Sequence, residues 1–269
     1  TLLLLLLYPV GPEPVRVALQ LGSVAGLVYR PLQRWAGFWL LLAAGMGTGC
    51  LLLWHDADNH KYLLAYWCLA FGLSCRAQDT ATALQVNARL LVGLCFLWAV
   101  GWKVSTPDFL TGEFFEYAML TDDRLFAVAQ LFTDLQPEAY THNREAIARL
   151  TDYSSRVQEV DLHGSPRLHV LASALTAWTL FIETAVALSF LWPGASRTAA
   201  WARHGALLAF VLTTYFATPV SGFAWVLLIL GITHVRGERR AWRLVYLGAL
   251  GVVILYQLEP VDAILVWLH

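Results

Sequence analysis

Cys95-Phe96-Leu97-Trp98-Ala99-Val100-Gly101-Trp102-Lys103-Val104-Ser105-Thr106-Pro107-Asp108-Phe109-Leu110-Thr111-Gly112-Glu113-Phe114-Phe115-Glu116-Tyr117 is the stretch on which the reading of this chain turns. An apolar helix ends on a lone lysine, and a segment of acids and aromatics begins at once. An ammonium group among apolar neighbours is disfavoured by desolvation and gives up its proton more readily than one in water. Lys103 therefore reads either as a candidate base or as an anchor at a membrane surface.

Composition settles the class. Of 269 residues, 58% are hydrophobic and 14% charged, and the mean hydropathy is +0.57. A soluble domain carries about 25% charged residues. Several apolar runs approach the roughly 20 residues needed to cross a hydrocarbon core. The expected fold class is an all-α integral membrane protein, a polytopic bundle of about eight transmembrane helices. The formal net charge of −1 offers nothing to nucleic acid. Cys50, Cys68, Cys75 and Cys95 all lie in apolar runs without a CxxC pair, so they read as packing residues, not as zinc ligands or a disulfide framework. No metal site is expected. The leucine run after Thr1 reads as the end of a removed segment, the start of a helix or a signal-peptide core.

Working outward from Lys103, strong apolar segments lie at about 14–30, 31–54, 60–76, 79–104, 166–192, 198–218, 221–235 and 241–258. Pro14 opens the first, and Pro31 and Pro219 sit at junctions, where a missing N–H costs least. The most basic short loop is 236–243. If it is cytoplasmic, alternation brings Arg30/Arg34, Arg76 and Arg197/Arg203 to the same side, in line with the positive-inside rule. The connections at 55–60, 105–165 and 219–221 and the tail after 259 then face outward. The expected location is the bacterial inner membrane.

Residues 105–165 form the one large polar region. Thr106-Pro107-Asp108 has the pattern of a helix start. Phe114, Phe115, Met119, Leu120, Leu125, Phe126, Val128, Leu131 and Phe132 give a broken apolar face, suited to lying on the membrane or folding over the bundle mouth. Residues 137–150 read as a short exposed helix. The region is too short for a separate catalytic domain, so 1–269 is read as a single transmembrane domain with an outer helical cap.

Polar residues inside spans need a partner or a function. Glu183 lies mid-span and reads as a proton or ligand site, or as an acid hydrogen-bonded to a neighbouring helix. Arg89 is the one arginine well inside a span and a candidate partner for Glu183; Asn87 lies beside it. His204 is a third intramembrane polar residue. His55, His60, His163 and His169 lie near the outer surface, and His204 and His234 toward the inside. His60 with His169 is the outer pair that would suit haem, but the two-histidine spacing within one span is absent. The tryptophans, including Trp54, Trp98, Trp102 and Trp192, read as an interfacial belt.

Two stretches resemble the membrane part of vitamin K-dependent gamma-carboxylases, the HTTM family. Asn59-His60-Lys61-Tyr62-Leu63 is similar to that family's Asn-His-x-Tyr-Leu. Gly101-Trp102-Lys103, followed by Asp108-Phe109 and Gly112-Glu113-Phe114, resembles its lysine motif. A weaker likeness covers His204 and the run from Phe216 to Trp225. The resemblance spans roughly 31–235 and implies Lys103 as the base that deprotonates a hydroquinone, with Asn59 and His60 as partners. Short spacing between the segments at 60–76 and 79–104 makes them expected neighbours, which would let His60 and Lys103 converge on one outer pocket. The chain departs from the family at Leu207, where an asparagine is the rule, and no large extramembrane domain follows within these 269 residues.

Three functions follow as expectations. The first is a non-catalytic or accessory membrane subunit, binding lipid, quinone or the subunits of a membrane complex through 105–165. The second is a quinone-linked membrane enzyme using Lys103, Asn59 and His60. The third is a proton or small-molecule transporter built around Glu183. A quinone, a hydroquinone or a bound lipid is the cofactor class that these readings imply.

Overall fold

Each of the eight apolar segments holds an α-helix in the computed structural model, the second of them after a 3₁₀ helix at Arg30–Arg34; the structure describes residues 1–55, 57–151, 159–194, 196–217, 220–235 and 240–257. Among the described residues the chain is all-helical, with no strand. The helices are α1 (Leu2–Leu7), α2 (Glu13–Val28), α3 (Ala36–Leu52), α4 (Asn59–Ser74), α5 (Thr80–Val104), α6 (Pro107–Leu110), α7 (Glu113–Thr121), α8 (Asp123–Phe132), α9 (Pro137–Thr151), α10 (Pro166–Leu191), α11 (Arg197–Ala217), α12 (Ser221–His234) and α13 (Arg240–Gln257). Two of them, α5 and α10, are long and apolar enough to cross a membrane. Residues 236–239 of the basic loop, Pro219 and the tail after 259 lie outside the described residues.

The chain divides into two compact units. The first comprises residues 1–95, 186–215 and 220–269. Within it α3 and α4 pack along one another, and α12 packs on α4 and α13. Trp39 of α3 stacks on Phe71 of α4 with ring centroids 4.3 Å apart. Trp67, fully buried, donates its indole N–H to Thr1 Oγ1 at 3.1 Å. A buried indole without such an acceptor would leave an unmade hydrogen bond, at a cost of about 1–3 kcal/mol.

The second unit comprises residues 96–185 and 216–219. It holds the end of α5, the start of α10 and the whole 105–165 region. Met119, Leu120, Leu125, Ala129, Leu135, Leu168 and Ala172 form its core, with Phe115 and Phe126 packed against it. The apolar face expected over 114–132 is therefore divided. Its middle residues turn inward, while Phe114, Leu131 and Phe132 remain exposed. Burying a side chain such as Met119 or Leu125 contributes about 1.5–3 kcal/mol, which holds this region against the start of α10.

The region opens as expected on a helix start, with Thr106 as the N-cap of α6, Pro107 in its first turn and Asp108 as its early acid. Thr106 precedes α6, but its hydroxyl donates back to the carbonyl of Trp102 at 3.0 Å. Ser105 does the same to Gly101 at 2.8 Å. Both hydroxyls satisfy last-turn carbonyls of α5 and so close that helix. Helix α6 ends after four residues because Gly112 has φ +87°, a left-handed conformation that glycine adopts without strain. The reversed chain then runs into α7. In α9, Tyr140, Asn143 and Ala146 make the buried stripe of an otherwise exposed helix.

Candidate functional site

Helix α10 sets the geometry of the site in the second unit. Its N-terminus is seated by Ser165, whose hydroxyl accepts from the N–H of Arg167 at 3.3 Å. At 3.6 residues per turn, His169, Ser173, Thr176, Leu180 and Glu183 fall within roughly 80° of one face. This face of a mostly apolar helix is polar at four of its five positions. Thr176 and Glu183 are each 5% exposed, whereas His169 and Ser173 are exposed.

Glu183 does not use Arg89, the partner its sequence position suggested. Its Oε1 accepts a short hydrogen bond from the ammonium of Lys103, the last-turn lysine of α5. Lys103 is thus directed onto a buried carboxylate. Taking either charge out of water alone costs several kcal/mol, roughly, and each group is what makes the other tolerable there. The ammonium also sits over the ring of Phe109, 5.4 Å from its centroid, a favourable cation–π position. The last turn of a helix favours a cation as well.

The pair is not saturated. Glu183 Oε2 is buried with no hydrogen-bond partner among the described residues, and neither has Thr176 Oγ1. Buried polar atoms are nearly always satisfied, so such atoms mark places where something else is bound or exchanged. At the other end of the stripe, His169 Nδ1 lies 3.1 Å from Glu116 Oε2 of α7. The turn at Gly112 passes close to α10: a Cβ there would stand 3.4 Å from the backbone nitrogen of Ser173. The second unit therefore carries one stripe, from an exposed histidine–acid pair to a buried lysine–acid pair.

Asn59 and His60 belong to the first unit. They open α4, but Asn59 is exposed and His60 only 8% exposed. The imidazole of His60 lies against Gly222 at the start of α12, where a Cβ would be 2.4 Å from Nε2. Only glycine allows that approach. The two residues of the Asn-His motif thus have different surroundings, and His60 is a packed group at a helix junction.

His204, also in the first unit, is buried, with Nδ1 3.0 Å from the hydroxyl of Tyr246. Beside it, Arg203 is only 6% exposed. Its guanidinium donates to the carbonyls of Ser189, Trp192 and Gly194 at 2.9, 2.9 and 3.0 Å. It also faces His234 Nε2 at 3.2 Å, and His234 Nδ1 is 3.3 Å from the carbonyl of Gln85. This arrangement ties the C-terminal end of α10 to α11 and α12. The sequence reading placed Arg203 only as a basic junction and did not single out Tyr246. An arginine inside the first turns of an apolar helix was the available signal, because five donors in such a place require carbonyl partners. Leu207, one turn along α11 from His204, is fully buried.

His163 has local partners. His163 stacks on His142 with centroids 4.4 Å apart. Its backbone N–H donates to Asn143 Oδ1 at 2.7 Å, and its carbonyl accepts from Asn143 Nδ2 at 2.9 Å. Among the described residues no group of three or more His, Cys, Asp or Glu is placed to hold a metal ion. Comparisons with protein-family models, with curated proteins and with solved structures give no match.

Proposed function

We propose that this chain is a polytopic membrane protein of the HTTM kind, a non-catalytic subunit that holds a lipid-soluble ligand at the Lys103–Glu183 pair. The observation that carries the reading is the pair itself. The lysine is occupied by a carboxylate, and that carboxylate keeps one buried oxygen free of any partner among the described residues. An ammonium already engaged in this way is better suited to orient a ligand than to act as a free base. The unfilled Oε2 accepts from a hydroxyl, and the remaining N–H groups of Lys103 suit a carbonyl. A quinone, a quinol or a lipid head group has that chemistry.

Eight spans and an inner-membrane location belong to the same proposal. The lengths of α5 and α10 support it, as do large exposed apolar residues on the other helices, among them Leu21, Leu41, Leu51 and Leu244. Arg76, Arg197, Arg240 and Arg243 lie at or just beyond helix ends, consistent with a cytoplasmic 236–243 loop and an outer 105–165 region. Exposed Phe114, Leu131 and Phe132 offer that outer region a surface for lipid or for other subunits of a complex.

The same pair also favours a second reading, a quinone-linked enzyme related to gamma-carboxylase. In it Lys103 is the base and Glu183 receives its proton. One preparation separates the two. The chain is purified from native membranes into lipid nanodiscs, and bound small molecules and co-purifying chains are read by mass spectrometry. The subunit reading expects a retained quinone or lipid, lost in Lys103→Met, and no quinol turnover. Quinol oxidation that Lys103→Ala abolishes would establish the enzyme instead, and wild type without ligand, partner chain or turnover would overturn both.

A further inference from the structure

We propose that the polar face of α10 carries protons between the aqueous side reached by His169 and the buried Glu183, making the Lys103–Glu183 pair a site loaded with one proton. The inference needs no bound ligand and stands apart from the ligand-holding reading. It rests on four positions of one helix face, the exposed His169 and Ser173 and the buried Thr176 and Glu183. Thr176 is midway: His169 precedes it by seven residues and Glu183 follows it by seven, each about 10.5 Å along the axis. In a helix a threonine hydroxyl commonly donates to the carbonyl four residues back, as Thr213 does to Ala209 at 2.8 Å. The Thr176 hydroxyl has no such bond among the described residues, and Glu183 Oε2 has none either. Two buried polar atoms that lack protein partners on a shared face are the end points that bridging waters require.

The charged groups around the stripe suit transfer in both directions. Glu116 of α7 faces His169, and Asp134, in the connection before α9, is held by Arg167 at 3.0 Å. Lys103 of α5 is the group facing Glu183. A hydronium ion in the outer water gives its proton to the His169–Glu116 pair. The relay passes a proton through Ser173, Thr176 and intervening water, and the Glu183 carboxylate becomes a carboxylic acid. Lys103 stays an ammonium, so the pair goes from net zero to one positive charge. The face of the Phe109 ring, already under the ammonium, supports that charge once the carboxylate is neutral. Release reverses each step.

The test uses the full chain in lipid nanodiscs. Infrared difference spectra between neutral and mildly acidic buffer read carboxylic acid formation, and stopped-flow mixing with a pH-indicator dye reads the rate of uptake. Acidification is expected to produce a protonated-carboxyl band that Glu183→Gln lacks. Uptake should slow roughly tenfold in Thr176→Val, equal to about 1.4 kcal/mol on the barrier, and also in His169→Phe. His169 is exposed, so that variant keeps the test decisive even where a buried substitution fails to fold. Absence of the band in the wild type, its persistence in Glu183→Gln, or an unchanged rate in both Thr176→Val and His169→Phe would overturn the proposal. Mass spectrometry of bound ligand is a separate readout, so failure of the ligand reading does not alter these results.

Discussion

Removing both members of the Lys103–Glu183 pair should cost less than the sum of the two single losses, and the two single losses should be unequal. The Glu183 side chain is 7% exposed and that of Lys103 is 23% exposed. Lys103→Met leaves a buried carboxyl group without its counterion, and breaking a buried pair from that side costs about 3–5 kcal/mol. Glu183→Gln leaves an ammonium that keeps the Phe109 ring and partial contact with solvent. Its loss is closer to that of an unmet hydrogen bond, about 1–3 kcal/mol. In the double variant no unpaired charge remains, so the measured loss should fall short of the sum by about 0.5–3 kcal/mol. For a chain of this size each kcal/mol moves the melting temperature by roughly 2–4 °C, so Lys103→Met should melt roughly 6–20 °C lower. Intrinsic tryptophan fluorescence during heating in one mild detergent reads all four proteins. Equal losses in the two single variants would refute the argument from unequal burial, and strict additivity in the double would mean the two charges do not depend on each other.

Two further expectations concern the 105–165 region. Gly112→Ala places a side chain in a left-handed conformation with a Cβ 3.4 Å from the Ser173 nitrogen; it should cost about 1–2 kcal/mol and speed limited proteolysis between α6 and α7, and an unchanged cleavage rate would count against a strained turn. Burial first, and then the Tyr140 hydrogen bond to Asp123, push the Tyr140 phenol up to about 12. Its folded value lies above the ordinary ~10, so its contribution to stability is complete below ~10 and is lost as pH rises toward 12. Ultraviolet titration of phenolate should show a late step that Tyr140→Phe removes; a titration identical in both proteins would contradict this.

Much of the helical framework could be read from residue types alone. The apolar segments expected at 14–30 and 79–104 became Glu13–Val28 and Thr80–Val104, because Pro14 at the start and the Asp79 carboxylate accepting from Thr82 set those ends locally. The candidate site was legible only in part. Lys103 and Glu183 stood out as charges within apolar runs, but their pairing did not, and Arg89 was the expected partner. Eighty residues separate Lys103 from Glu183 in the chain, and no local pattern reports which helix faces which. Arg203 was underrated for the same reason: its acceptors are carbonyls at the end of α10, and every residue has a carbonyl.

The sequence by itself determined that this protein is helical and roughly where its long apolar helices lie, two of which are long and apolar enough to cross a membrane. Those properties come from burial, proline and capping, which act within a few residues. Tertiary structure alone decided that Asn59 and His60 have different surroundings, that the 105–165 region shares a core with Leu168 and Ala172 of α10, and that Glu183 meets Lys103. Partner choice for a buried charge is a property of helix packing, where the cost of an unpaired ion selects one neighbour from several chemically equivalent ones.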